Sequence, residues 1–383
     1  MRRMTNRGLA RVPCRDQKTP SKQTAPLSRR GLIGGAAAGL CALSAFGRSA
    51  QAVQSNAANG PARLIVAGVP ESLSGQWASL LAPNLAETLH KPAFTLTTTT
   101  GWDGITGANL FETQQEQVEP PAALMVPGSA ILAAMTGDSR VHYDYQRWVP
   151  TFLSHQPTVA LGRASLHRSL ASMINGRPLR VGVSSYNGAE LPTIFALDLL
   201  ALHPLPIPGL GQPNAAIDAL RAGTVDVIQL PFDADYTERA ATLQEEGFEP
   251  LFSNAFPKDP FLRRGLPPDF TTIYQQERRR MPNALNYTVW GAISAACNMK
   301  AGLMLPILST PADISQWRHA CQLAATQPDL RTHARDENEY MLTSTACTTA
   351  YAAMMPDVSS IMALRRWLAL NIPKWRDRPQ PRL

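Results

Sequence analysis

A rhythm in the chain constrains its fold more than any other feature. Short apolar runs bounded by Gly and Pro alternate with segments of helical spacing, and the alternation occurs in two separate blocks. In the first block, Arg63 to Val69 is an apolar run consistent with a buried strand. Trp77, Leu80, Leu81, Leu85 and Leu89 recur at helical spacing. Phe94 to Thr100 is a Thr-rich strand, Ile105 to Phe111 a short helix, and Ala122 to Val126 a third strand ended by Pro127-Gly128. In the second block, Leu179 to Val183 is strand-like and Leu191 to Leu202 is an apolar helix. Ala215 to Ala222 is a helix closed by Gly223, Val225 to Leu230 a strand, and Tyr236 to Glu246 an amphipathic helix. Strand, helix, strand in repetition is the pattern of βαβ units and a parallel sheet.

Between and after the blocks the signal is weaker. Pro204 to Pro213 is broken by Pro and Gly, and residues 254–286 lack clear periodicity. Tyr287 to Ala295 reads as a strand returning from the second block. Helices are expected over Ile314 to Thr326, Glu337 to Met355 and Val358 to Leu370. No repeat of fixed period occurs.

The chain has 383 residues and a formal charge of +7, but the charge is unevenly placed. Residues 1–52 hold ten of the 36 Lys and Arg and only Asp16 of the 29 acids, so 53–383 carries 26 basic and 28 acidic residues, close to net −2. A nucleic-acid footprint needs clustered positive charge on the folded domain, so no nucleic-acid partner is expected. The basic leader has the order of an export signal. Ser28-Arg29-Arg30-Gly31-Leu32-Ile33 resembles the twin-arginine motif, Gly31 to Phe46 is weakly apolar, and Ala50-Gln51-Ala52 is an A-x-A signature. Cleavage after Ala52, a flexible tail over 53–61 and a soluble periplasmic protein are the expectation. No later stretch reaches 18 uninterrupted apolar residues.

Chemistry is sparse. Cys297, Cys321 and Cys347 remain after the leader, an odd number without C-x-x-C spacing. Three buried small hydrophobes are the favoured reading, with one disulfide plus one thiol as the other. G-x-S-x-G, H-E-x-x-H, G-x-x-x-x-G-K-[ST] and G-x-G-x-x-G are all absent. His155 and His167 are read as ordinary surface or loop residues. No catalytic residue, cofactor or metal is therefore assigned. What the chain does offer is loops after strands, where ligands bind in open α/β sheets. Four qualify: Pro70–Gly75, Gly101–Gly104, Ser184–Gly188 and Gly209–Gln212. They are rich in Gly, Ser and Asn and present backbone N–H donors. Two of them lead into helix N-termini, which attract carboxylates.

A set of segments stands out: Gly104-Ile105-Thr106-Gly107-Ala108-Asn109, Tyr145 to Pro150, Arg180 to Ser185, Ile207 to Leu230 with its Gly223-Thr224-Val225-Asp226 turn, and Arg366-Trp367. In these segments and their order the chain resembles the Bug family of extracytoplasmic solute receptors, the binding component of tripartite tricarboxylate transporters. The likeness spans about residues 63–370. The chain departs from the family's Pro-Gly-Gly first loop at Pro70-Glu71-Ser72-Leu73-Ser74-Gly75. It also lacks the family's Thr-x-x-His segment about Ala189 to Pro192 and has Gly211-Gln212 in place of a Gly-Gly pair.

The resemblance implies an α/β periplasmic-binding-protein fold of type II-like form. Lobe one would be 62–158 plus 286–383 and lobe two 159–285, with crossover strands and a central cleft between them. It further implies a monomer that captures a small carboxylate and hands it to membrane transporter subunits, breaking no bond. The ligand-binding residues would be Ser72, Ser74, Gly75, Trp102, Asp103 and Gly104 on one wall, and Ser184, Ser185, Tyr186, Asn187, Gly188, Gly211 and Gln212 on the other. Trp102 would stack on an apolar part of the ligand, and Glu71 would repel a dianion unless it faces outward. A twin-arginine-exported enzyme of unknown chemistry, or a binding protein serving a sensor, are the alternatives.

Overall fold

The computed structural model describes residues 62–115, 121–167, 177–255 and 265–378, so the expected leader and tail lie outside the described residues. All described residues fall within one compact unit, Ser55–Leu383. The elements in order are β1 (Ala62–Val66), α1 (Leu73–Thr88), β2 (Phe94–Thr98), α2 (Ile105–Gln114), β3 (Ala123–Val126), α3 (Gly128–Thr136), β4 (Val149–His155), β5 (Thr158–Arg163) and α4 (Ala164–His167). There follow β6 (Leu179–Gly182), α5 (Leu191–Leu199), β7 (Pro204–Ile207), α6 (Pro213–Arg221), β8 (Val227–Pro231), α7 (Tyr236–Glu245), β9 (Phe248–Ser253), α8 (Phe270–Arg278) and α9 (Ala284–Asn298). The last are β10 (Met299–Leu305), α10 (Pro311–Ala324), α11 (Pro328–Asp336), β11 (Tyr340–Thr343), α12 (Ser344–Ala353) and α13 (Val358–Arg376).

The strands form two mixed sheets, one per lobe. The first has the order β11-β4-β10-β3-β1-β2 and the second β7-β6-β8-β5-β9. The βαβ units read from the sequence are the parallel parts: β1 pairs with β2 and β3, and β6 with β7 and β8, all parallel. The chain changes sheets through strands that pair antiparallel, β4 to β5 and β9 to β10. It leaves β4 at His155 and enters β5 at Thr158. From β9 it returns through α8 and α9 and re-enters the first sheet at Met299.

The changeover is stitched by buried amides. The Gln156 N–H donates to the Asn298 carbonyl at 2.8 Å, the Asn254 N–H to the Thr158 carbonyl at 2.8 Å, and the Asn298 side chain to the Asn254 carbonyl at 2.9 Å. The Asn254 side-chain amide points at Thr158 Oγ1, Thr193 Oγ1 and Gln229 Oε1, at 2.9–3.0 Å. Asn254 and Asn298 are fully buried. Their side-chain N–H groups are paired, while Asn254 Oδ1 and Asn298 Oδ1 have no partner among the described residues.

Four expectations change. Tyr287 to Ala295 is not a strand but the middle of α9, which Asn283 caps by accepting the Asn286 N–H at 2.7 Å. Its aromatic and β-branched residues suited a strand. Because Val289, Trp290, Ala292, Ile293, Ala295 and Ala296 are all buried, the second half of the helix has little polar surface to show its period. Glu337 to Met355 is not one helix: β11 intervenes, and α12 begins after it at Ser344, whose φ is +50°. The broken stretch from Pro204 opens with β7, which tolerates Pro204 and Pro206 because it is an edge strand. His155 is buried in β4 rather than exposed; the side chain of His167 lies outside the described residues.

Candidate functional site

The first sheet delivers three loops to one place, beyond the carboxyl ends of β1, β2 and β3. They line a cavity of about 310 Å³ with Glu71, Ser72, Leu73, Ser74, Trp102, Pro127, Gly128, Ser129 and Leu132. Cys297, Met299 and Lys300 close it from the α9–β10 junction, and Ala189 borders it from the second lobe. Two helices begin at this cavity. Ser72 caps α1: its Oγ accepts the Gly75 N–H at 3.1 Å and donates to the Val69 carbonyl at 2.6 Å. The first-turn amides of Leu73 and Ser74 have no partner inside the helix. The Ser74 hydroxyl is buried and has no hydrogen-bond partner among the described residues. The second helix, α3, starts at Gly128 after Pro127. A Cβ at Gly128 would fall 1.9 Å from the Ala296 carbonyl oxygen, so only glycine lets α3 begin against the end of α9. That close approach puts Lys300 and the two helix N-termini on one cavity.

Lys300 owes its direction to an irregularity. In the pairing of β10 with β4 the register slips between Met299 and Ala301, so Lys300 is the extra residue of a bulge. Bulges re-aim side chains, and here the alternation of a largely buried strand yields one cation to the cavity. Lys300 makes no ion pair or hydrogen bond among the described residues. Burial lowers its pKa from the ordinary value, while the more distant Glu339, Cys297 and Asp233 oppose that shift. A half-buried cation without a close counter-ion is raised in energy, and an entering anion would relieve it. Two positive helix ends act in the same direction.

The structure divides the sequence-predicted residues. Ser72, Ser74 and Trp102 line the cavity, and Trp102 is 68% exposed there, outside both cores. Gly75 lies in the first turn of α1, where a Cβ would meet the Pro70 carbonyl oxygen at 2.3 Å. Asp103 is committed to Arg140 at 2.8 Å and to the Ile105 N–H at 3.2 Å; Gly104, at φ +78°, begins α2.

In the second lobe, Ser184, Ser185, Tyr186, Asn187, Gly188, Gly211 and Gln212 do not line this cavity. The two loops that carry them lie side by side: the Leu210 N–H donates to the Val183 carbonyl at 2.8 Å, and a Cβ at Gly211 would fall 2.7 Å from Ser184 Cβ. Gln212 stands at the start of α6. Tyr186 stacks on Trp375 of α13 at 6.1 Å between ring centroids, and Ser185 Oγ lies 3.5 Å from Asn187 Oδ1.

Glu190, which the sequence reading passed over, occupies the Ser184 loop. Its carboxylate accepts the Ser184 N–H at 3.0 Å and the Ser184 hydroxyl at 2.6 Å. Burial raises its pKa, against the hydrogen bonds from Ser184. Lys300 and Cys297 were missed as well. The signal for Lys300 was a lone cation inside the apolar run Met299 to Leu305, hidden once the strand had been placed before it. Cys297 is partly buried at the cavity, Cys321 and Cys347 are fully buried, and no disulfide joins these three. Burial pushes the Cys321 thiol up to about 12. Among the described residues no group of three or more His, Cys, Asp or Glu could hold a metal ion, and no helix is long and apolar enough to cross a membrane.

No protein-family model matches the chain, and no curated protein matches it in sequence. Solved structures do match. A TctC solute-binding protein from Polaromonas superposes with a TM-score of 0.58 at 14% identity, over 82% of this chain and 98% of that one. The periplasmic binding protein BugD gives 0.48 at 14% identity over 82% and 97%. MatC from Rhodopseudomonas palustris, solved with bound malate, gives 0.46 at 17% identity over 83% and 98%. At these identities the likeness is one of fold: the chain has the two-lobed α/β architecture of the TctC solute-binding protein.

Proposed function

We propose that this protein is an extracytoplasmic receptor that captures a small organic acid between its lobes and passes it to a membrane transporter. The observation that carries the reading is the convergence of the α1 and α3 N-termini with Lys300 on one cavity at the lobe boundary. That arrangement stabilises a carboxylate, and the role is capture. In this reading 62–158 plus 286–383 form one lobe, 159–285 the other, and the stitched crossovers are the hinge. Ser74, Trp102 and Lys300 hold the ligand, and the Ser184–Gly188 and Gly209–Gln212 loops close over it. The leader directs export through its twin arginines to the periplasm, where the mature chain acts as a monomer.

Calorimetry against a panel of mono-, di- and tricarboxylates tests the receptor reading. At least one acid is expected to bind at one site per chain without being consumed. A panel with no binder, or turnover of a bound acid, would overturn it. Export is tested separately: replacing Arg29 and Arg30 with Lys is expected to leave precursor in the cytoplasm.

A further inference from the structure

We infer that the cleft selects a monocarboxylate with an apolar body over a dicarboxylate, because the anion site of the second lobe is filled by the protein's own Glu190. The inference rests on the receptor reading and narrows its ligand. A two-lobed receptor for a dianion needs a positive donor set on each wall. The first wall has one, in Lys300 and the two helix ends. On the second wall, the N–H and hydroxyl of Ser184 stand just past the carboxyl end of β6. Both are spent on the Glu190 carboxylate, which is 7% exposed. Gly188 leaves room for this: a Cβ there would fall 2.2 Å from Ser184 Oγ and 3.2 Å from Glu190 Oε2.

Two further features point the same way. Glu71 lines the cavity on the first wall, adding a negative charge that a second ligand carboxylate would have to approach. The remaining surface, from Leu73, Trp102, Pro127, Leu132 and Met299, suits a hydrocarbon or aromatic body. Burial first, and then the Glu190 charge, raise the pKa of the cavity-lining Cys297 thiol. A second ligand carboxylate would therefore meet the Glu71 charge on one wall and find the Ser184 donors already taken by Glu190 on the other.

Matched acids isolate the second carboxylate. The full chain is titrated with hexanoate against adipate and with benzoate against terephthalate. Each monoacid is expected to bind at least about tenfold tighter than its diacid partner. Lys300→Met is expected to weaken the monoacids by about tenfold or more at an unchanged melting temperature, because it removes the charge-assisted bond. Glu190→Ala, which frees the Ser184 donors, is expected to narrow the gap within each pair. Equal or tighter diacid binding by the unmodified protein overturns the inference while leaving the receptor reading standing. So does binding of tricarboxylates alone, or hexanoate binding indifferent to Lys300→Met. An unchanged gap in a folded Glu190→Ala protein overturns the role of Glu190. If no acid in this set or the wider panel binds, both readings fall. The paired comparison on the unmodified protein needs no variant to fold.

Discussion

Asp226 shows how a single buried charge can hold a lobe together. It is 3% exposed and accepts from Arg180 Nε at 3.0 Å, Arg180 Nη2 at 2.8 Å, the Arg180 backbone N–H at 3.0 Å and Arg177 Nη2 at 3.1 Å. The pairing ties β6 to the turn that enters β8. Burial alone would raise the Asp226 pKa, but the hydrogen bonds and charge of Arg180, with Arg177, outweigh it and lower the pKa. A carboxylate lowered in the folded state contributes stability above its unfolded pKa, near about 4, and loses it as pH falls through the folded value. Asp226→Asn is therefore expected to cost about 2–3 kcal/mol at neutral pH, and the difference from wild type should shrink on acidification below about pH 4. Urea melts at pH 7 and in acid check both; an equal cost at the two pH values would contradict it. The sequence exposed the Gly223–Asp226 turn but not its partners, since an arginine's reach across strands is set by register.

At the scale of elements, legibility followed amphipathicity and sheet position. The parallel units were readable because their strands are short and bounded by turns. The antiparallel strands β4, β5, β9 and β10 were not, and α9 was mistaken for one of them. A helix buried all round and a strand buried on both faces look alike in sequence. That one displacement also hid Lys300, so the first wall was legible in its loops but not in its charge.

The Asn254 cluster escaped for a different reason: its members, Thr158, Thr193, Gln229 and Asn298, are brought together only by the crossovers. Replacing Asn254 with Ala removes the amide's donors and is expected to destabilise the protein by about 1–3 kcal/mol, read as a lowered urea midpoint. Gln229 also donates to the carbonyl of Ala189 at 2.9 Å, so the same variant is expected to weaken ligand capture through the cavity border. A fully stable Asn254→Ala protein with unaltered binding would show that the stitching is dispensable.

Across the whole molecule, α13 links the lobes. Trp367 packs edge-on against Phe195 at 5.0 Å and donates its indole N–H to Asp198 at 2.7 Å, both on α5. Further along, Trp375 and Arg376 cover Tyr186, Arg376 at 5.7 Å from the ring centroid. The last helix of the chain thus grips the helix and loop that follow β6. The sequence reading ended this helix at Leu370, short of the turns that make the second contact.

The exposed indole at the cavity gives the molecule an optical handle. Trp77, Trp148, Trp290 and Trp375 are buried, Trp317 and Trp367 are partly covered, and Trp102 alone stands largely in water. Acrylamide in solution is therefore expected to quench chiefly Trp102, and a ligand seated beside it should lower the quenching constant in proportion to occupancy. Trp102→Phe should abolish that change while leaving most of the emission intact. A ligand-dependent signal that survives Trp102→Phe would place the responding indole elsewhere. With that control, fluorescence can follow filling of the cleft without any attached dye.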